Sequence, residues 1–178
     1  MRLFRTALIL GKGGFGRELG EMLLDCGGYG DVVYLDDAAP DAAGALADYL
    51  DPALRERCRD AFVGLGDNAL RLDWLQKLAA AGYRTPVFCH PAAEVCESAS
   101  IAPGTVILPF AFVGTNAHIG CGCILNVGSI VDHDAVVEDG VHAAPRSTIK
   151  AGATAPRCTK VDSGEILRSP WEQNAAQQ

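Results

Sequence analysis

The chain has 178 residues, of which 49% are hydrophobic, and its formal net charge is −7. This length allows one large or two small domains, and the negative charge argues against nucleic acid as a partner, because nucleic acid is bound by clustered basic faces. The stretch at residues 3–10 is too short to span a membrane, so we expect a buried strand and no membrane span. Seven cysteines with no paired framework predict a reducing, cytoplasmic location.

Residues 1–90 alternate between strand and helix patterns. The pattern predicts strands at residues 6–10, 32–35, 61–65 and 84–88, and helices at residues 17–26 and 69–81. Gly82 directly follows the second helix, which is typical of a helix C-terminus. This order predicts a Rossmann-like domain over residues 1–90, with a small parallel sheet and helices packed on it.

A glycine-rich turn, Gly11-Lys12-Gly13-Gly14-Phe15-Gly16, separates the first strand from the first helix. The backbone N–H groups of such a turn and of the helix N-terminus can hold a phosphate. A tight turn with a purely structural role is the alternative. We therefore regard Gly13 and Gly14 as candidate phosphate contacts.

Polar residues follow the next two predicted strands. Asp36 and Asp37 end the second strand, and Asn68 lies just after the third. The carboxyl ends of parallel strands meet at one edge of a sheet, where ligands bind. We expect these three residues to join the glycine turn in a nucleotide site, although Asp67-Asn68 also fits a helix N-cap.

From residue 91 to 178 the pattern changes to a period of six. An aliphatic or small residue occupies every sixth position without exception: Val95, Ile101, Ile107, Val113, Ile119, Leu125, Val131, Val137, Ala143, Ile149, Ala155, Val161 and Leu167. Neither a helix nor a flat strand has this period. A chain that turns a corner every six residues does, which predicts a parallel β-helix of hexapeptide repeats with three hexads per coil.

Two details of the repeat carry further expectations. A small residue follows four positions after most of the aliphatic ones, and we expect it near each bend. Glu165 breaks this row and predicts an irregular last coil. A column of about four coils also leaves strand edges and an apolar flank uncovered, so we expect a closed homo-oligomer, and three copies suit a three-sided prism.

One histidine of the repeat region has an unusual setting. His133 follows the inward Val131 by two positions, so it points outward, and Asp132 and Asp134 flank it. A neighbouring carboxylate fixes the imidazole tautomer and stabilises the imidazolium, as a general base requires. A solvent-exposed histidine at a bend is the alternative. The other histidines lie too far away in sequence for a zinc site, so no metal is expected.

The combination of motifs is recognisable. The glycine turn followed by Arg17, then Leu35-Asp36-Asp37, Gly66-Asp67-Asn68 and Asp132-His133-Asp134, resembles the bacterial sugar acetyltransferases with a left-handed β-helix. The most similar group is the UDP-4-amino-sugar N-acetyltransferases of bacillosamine-type pathways, and the sialic acid O-acetyltransferases are its sister group. The resemblance covers nearly the whole chain.

The resemblance implies specific roles for residues in the β-helix. It implies a homotrimer with active sites between neighbouring β-helices and acetyl-CoA as the acyl donor. His133 would be the general base and Asp134 the acid that orients it, while Asn126 would help to hold the substrate. His142, Ala151 and Gly152 would contact acetyl-CoA.

The resemblance also assigns the N-terminal domain. The nucleotide would lie on a set of turn and strand-end residues: Gly13, Gly14, Asp36, Asp37 and Asn68. Phe15 departs from the histidine that many relatives carry in the turn, and the column beyond His142 is short. Three functions fit the sequence: N-acetylation of a UDP-linked amino sugar, O-acetylation of a sialic or related acid, and a non-catalytic scaffold or sugar-nucleotide sensor.

Overall fold

The structure is a computed structural model that describes residues 5–169. It divides into two compact units, and the division falls between Pro86 and Val87. The sequence pattern placed this boundary between residues 90 and 91. Within residues 5–169, none of the helices has the length and apolar character needed to cross a membrane.

The first unit is a three-stranded parallel sheet with helices. Its elements are β1 (Arg5–Leu10), α1 (Gly14–Asp25), β2 (Tyr29–Leu35), a 3-10 helix (Leu46–Leu50), α2 (Pro52–Arg57), β3 (Asp60–Val63) and α3 (Asn68–Ala80). The strand order is β2-β1-β3. The central strand β1 is completely buried from Ala7 to Leu10, because it is paired on both edges. All three strands therefore end at one edge, as the sequence predicted.

The strand predicted at residues 84–88 is wrong. Arg84 forms only an isolated bridge with Asp60, and Pro86 cannot donate a ladder hydrogen bond. Phe88–Cys89 pairs with Val106–Ile107 of the second unit. The repeat thus begins one hexad before Val95.

Up to residue 169, the second unit consists of fourteen two-residue strands in three parallel sheets, which we call faces 1, 2 and 3. Face 1 contains Phe88–Cys89, Val106–Ile107, Ile124–Leu125, His142–Ala143 and Lys160–Val161. Face 2 contains Glu94–Val95, Phe112–Val113, Ile130–Val131, Thr148–Ile149 and Ile166–Leu167. Face 3 contains Ser100–Ile101, His118–Ile119, Val136–Val137 and Thr154–Ala155. The predicted parallel β-helix is confirmed.

The core of the β-helix contains two rows of side chains. From Ile107 to Val161 the second residue of each strand points inward and is at most 3% exposed. The small residues predicted near the bends also lie inside, including Ser129 and Ser147 at 0% exposure. Within the described part of the chain, these two hydroxyls have no hydrogen-bond partner. Small residues are needed here because the space inside the prism is limited.

The bends themselves are made by a different row. Every sixth residue from Gly104 to Gly164 has a positive φ: Gly104, Phe110, Asn116, Gly122, Gly128, Asp134, Gly140, Arg146, Gly152, Cys158 and Gly164. This left-handed backbone turns the chain from one face to the next. We call the bend from face 1 to face 2 the first corner, that from face 2 to face 3 the second, and that from face 3 to face 1 the third.

The predicted irregularity of the last coil is wrong. The strands Lys160–Val161 and Ile166–Leu167 keep the parallel register with the coil below. Glu165 is exposed, and its side chain accepts a hydrogen bond from the backbone N–H of Asp162 at 2.7 Å. The carboxylate points outward and stabilises the bend through this hydrogen bond. The long side chain therefore does not have to fit into the narrow interior of the β-helix.

Candidate functional site

The glycines of the first unit fall into two groups. Gly16 allows close packing, because a Cβ there would overlap the carbonyl oxygen of Gly11. A Cβ at Gly64 would lie 2.6 Å from the Cα of Gly16. A Cβ at Gly13 or Gly14, in contrast, would meet no atom of residues 5–169 within 4 Å apart from its chain neighbours and its own helix. The first group is structural, and the second faces open space.

The N-terminus of α1 has no side-chain cap. Its N-cap residue is Gly13, and its first turn contains no acidic residue. The other two α-helices of residues 5–169 are capped by Asp51 and Asp67, whose carboxylates accept backbone N–H groups. The first N–H groups of α1 are therefore the ones left for an anion.

Asp36 and Asp37 hold the loop that follows β2. The Asp36 carboxylate accepts the N–H groups of Lys12 at 2.6 Å, Ala38 at 2.8 Å and Ala39 at 2.9 Å. The hydrogen bond from Lys12 is the largest of the effects that lower the pKa of Asp36. Asp37 accepts the N–H of Leu46 at 2.8 Å. Both carboxylates lie at the predicted edge, where they shape the loop and the turn, and their contact with a nucleotide stays a prediction.

A buried arginine stabilises the loop that follows β3. Arg71 is 1% exposed and donates to the carbonyl oxygen of Leu65 at 3.1 Å and to the Asn68 side-chain oxygen at 2.8 Å. Asp67 caps α3 through the N–H of Leu70 at 2.8 Å. Asn68 thus lies at the same edge as the glycine turn. Sequence reasoning missed Arg71, since an arginine in the first turn of a helix is usually exposed.

His133 lies at the second corner and is held by both neighbouring carboxylates. Its Nδ1 lies 2.7 Å from Asp134 Oδ2, and its backbone N–H donates to Asp132 Oδ1 at 2.7 Å. The hydrogen bond to Asp134 raises the pKa of His133, and the charge of Asp132 raises it further. The same hydrogen bond lowers the pKa of Asp134. Nδ1–H donates to the carboxylate, so Nε2 is left as a proton acceptor.

The surroundings of Asp134 fix its orientation. Its φ is 57°, a conformation that aspartate tolerates better than most residues. Its N–H donates to the carbonyl oxygen of Thr115 at 2.9 Å, and the Asn116 amide donates to Oδ1 at 3.3 Å. In the next coil, Gly152 donates its N–H to the carbonyl oxygen of His133 at 3.1 Å. Ala151 and Gly152 therefore stack directly on the histidine corner.

Asn126 and His142 form a pair on a different part of the prism. The Asn126 side-chain oxygen accepts the N–H of Val127 at 2.7 Å, so its NH2 group faces His142 Nε2 at 3.2 Å. His142 is the outward residue of a face 1 strand, and Asn126 begins the first corner. Within one chain, the structure does not bring this pair to His133, because face 2 lies between the two corners.

No group of three or more His, Cys, Asp or Glu residues in the described part of the chain could hold a metal ion. The second corner offers an imidazole that is oriented by a carboxylate. An acceptor bound against Nε2 would lose a proton to it.

Comparison with known proteins identifies relatives over nearly the full length. A family model described as the PglD N-terminal domain matches residues 6–78. The GDP-perosamine N-acetyltransferase of Escherichia coli O157:H7 is 25% identical over 173 residues, which cover 90% of this chain and 76% of that protein.

Solved structures with the same architecture agree with this. The acetyltransferase domain of PglB from Neisseria gonorrhoeae FA1090, in complex with acetyl coenzyme A, is 29% identical with a TM-score of 0.75 and covers 92% of this chain and 87% of that one. A variant of GDP-perosamine N-acetyltransferase from Caulobacter crescentus, in complex with CoA and GDP-perosamine, gives a TM-score of 0.82 at 23% identity and covers 94% and 90%. These likenesses confirm the predicted fold class, an α/β domain followed by a left-handed β-helix.

Proposed function

Because the chain is a relative of the sugar N-acetyltransferases that carry a left-handed β-helix, we propose that it transfers an acetyl group from acetyl-CoA to the amine of a UDP-linked amino sugar. The observation that carries the proposal is the outward imidazole of His133, whose Nδ1 is engaged by Asp134 at 2.7 Å. Two of the relatives named above are GDP-perosamine N-acetyltransferases, which favours an amine over a hydroxyl as the acceptor.

The reaction needs one base and no covalent enzyme intermediate. The sugar amine attacks the thioester carbonyl as His133 Nε2 takes up its proton, and a C–N bond forms. The tetrahedral intermediate then collapses with cleavage of the C–S bond, and the imidazolium protonates the departing thiolate. Asp134 stabilises the imidazolium between these two steps. The histidine ends neutral, ready for another cycle.

The first unit supplies the nucleotide site in this proposal. The uncapped N-terminus of α1 and the open space at Gly13 and Gly14 suit the diphosphate. Asn68 lies at the same edge, near the predicted position of the base and ribose. Asp36 and Asp37 would repel a sugar carboxylate, which disfavours a sialic acid acceptor.

The acetyl-CoA site requires a second copy of the chain. His133 and the Asn126–His142 pair lie on different corners, so the first corner of one protomer must approach the second corner of another. Exposed apolar side chains lie on face 2 between these corners and at the first corner itself: Ile130 is 42% exposed and Ile166 51% on face 2, and Phe110 is 72% exposed at the first corner. Burying this flank against another copy would remove it from water. A closed trimer places one such site at each of three interfaces.

A GDP-linked amino sugar is the second candidate acceptor, because two relatives are named for GDP-perosamine. The catalytic base, His133, and the acetyl donor, acetyl-CoA, would be the same, and only the nucleotide of the acceptor would differ. The glycine turn contacts the diphosphate common to both.

A thiol-release assay with acetyl-CoA tests the proposal. The acceptors are a UDP-4-amino sugar, a GDP-4-amino sugar and free sialic acid, and the variants are His133→Ala and His90→Ala. We expect release with the UDP-linked sugar, loss of about two to four orders of magnitude in His133→Ala, and little change in His90→Ala. Release with the GDP-linked sugar alone would establish the second candidate. Release with sialic acid alone, or full activity of His133→Ala, would overturn the proposal.

A further inference from the structure

Arginines cluster at the edge of the first unit where the strands begin. Five of them lie there, in a chain whose net charge is −7: Arg5, Arg55, Arg57, Arg59 and Arg84. This edge is opposite the glycine turn, and the six residues of β1 separate the two by roughly 17 Å at 3.3 Å per residue. The proposed nucleotide site makes no use of it.

A buried carboxylate organises two of the arginines. Asp60 is 3% exposed and accepts hydrogen bonds from Arg84 Nε at 2.6 Å, Arg5 Nη1 at 3.3 Å and the Tyr29 hydroxyl at 2.8 Å. Within the described residues, Arg84 uses only Nε in these contacts. Its two terminal NH2 groups therefore remain as a fork held in a fixed direction.

Two of the neighbouring arginines make no polar side-chain contact with the described residues. Neither the Arg55 nor the Arg59 guanidinium makes a hydrogen bond or ion pair with any residue between 5 and 169. Arg57, in contrast, is paired with Asp31 at 2.6 Å. Arg55, Arg59 and Arg84 share this place with one carboxylate, that of Glu56. The arginines therefore repel each other, and a bound anion would reduce this repulsion.

These groups line a concave surface. One cavity of about 460 Å³ is lined by Arg55, Arg59 and Arg84 together with Glu56 and Tyr83. A second cavity of ≈ 410 Å³ adjoins it and shares Glu56, Arg59 and Arg84. Such volumes are typical of small-molecule sites. We call the two together the arginine cleft.

We infer that the arginine cleft is a binding site for a phosphorylated small molecule with at least two negative charges. Guanidinium groups bind phosphate oxygens in pairs, with defined geometry. A membrane surface fits less well, because the cleft is concave and the protein as a whole would be repelled by anionic lipid. The site is independent of the acetyl-transfer chemistry and occupies the other end of the sheet.

Calorimetric titration of the full chain with inorganic pyrophosphate tests the inference. The test variant is Arg55→Ala/Arg59→Ala, which removes two exposed and unpartnered side chains and should leave the melting temperature unchanged. Lys77→Ala is the control for general electrostatics, because it removes a positive charge from α3, outside the cleft. Gly13→Asp places a carboxylate at the glycine turn and so isolates binding at the cleft.

We expect the double variant to lose at least about tenfold in affinity, while Lys77→Ala and Gly13→Asp keep pyrophosphate binding at the cleft. Equal affinity in the wild type and the double variant would overturn the inference. So would an equal loss in Lys77→Ala, since that would indicate only general electrostatics. Sedimentation with phosphatidylglycerol vesicles forms a second arm. Recruitment of the wild type but not the double variant, without pyrophosphate binding, would assign the cleft to lipid headgroups and refute a small-molecule site.

Discussion

Replacing Gly114 by alanine is expected to slow acetyl transfer without unfolding the chain. Gly114 lies one coil below His133, and a Cβ there would be 2.7 Å from the His133 backbone nitrogen, whereas ordinary contact begins near 3.4 Å. The second corner must therefore move by several tenths of an ångström. A displacement of about 1 Å in a catalytic group costs roughly 100-fold in rate, so we expect kcat to fall by about tenfold to 100-fold.

Gly120→Ala is the matched control. Gly120 occupies the equivalent position one face further along, and a Cβ there would be 2.6 Å from the Asp139 backbone nitrogen. Both variants should lose about 1 to 3 kcal/mol of stability through overpacking, but only Gly114→Ala displaces the base. Thermal unfolding and steady-state thiol release at several pH values measure the two effects separately. Equal losses of kcat in both variants, or full activity in Gly114→Ala, would refute the argument that Gly114 positions His133.

Three further predictions concern the base, the turn and the shared site. Asp134→Asn removes the negative charge of the hydrogen-bond partner that raises the pKa of His133, so the acidic limb of the pH–kcat profile should move to lower pH while the maximal rate falls. An unmoved limb would contradict this. Gly13→Asp should raise KM for the nucleotide sugar at least about tenfold through charge repulsion and leave KM for acetyl-CoA unchanged, as steady-state kinetics will show. When inactive His133→Ala and His142→Ala protomers are mixed, unfolded and refolded together, activity should return, because some interfaces of the mixed oligomers carry both intact residues. If the mixed oligomers stay inactive, a site between chains is excluded.

The β-helix could be predicted from the sequence because its core imposes a strict rule. Each face admits one inward aliphatic residue per coil, so the period of six is visible without any structure. The first strand of the β-helix, Phe88–Cys89, was assigned to the wrong unit for a local reason. Val87 and Phe88 are apolar and directly follow residues 84–86, so the segment resembles a strand of the first unit, and only the pairing of Phe88 with Val106 shows which unit it joins.

The candidate site was predictable only where its contacts are local. His133 and Asp134 are adjacent, so their spacing already suggested the pair. The role of Asp36 could not be read in the same way, because Lys12 reaches its carboxylate across 24 positions. The burial of Arg71 could not be predicted from the sequence, because it depends on how the loop after β3 folds over the side chain.

The left-handed backbone at the second corner explains why adjacent residues can form this pair. Successive side chains of a strand point to opposite faces, so His133 and Asp134 meet only because Asp134 has a φ of 57°. Glycine adopts this conformation freely, whereas alanine pays about 1 kcal/mol for it. We therefore expect Asp134→Ala to melt below the wild type and Asp134→Gly to melt close to it, while both lose the raised pKa of His133. Differential scanning calorimetry and the pH–kcat profile distinguish the two effects. Equal melting temperatures of the alanine and glycine variants would show that the corner imposes no such constraint, and the geometry of the pair would need another cause.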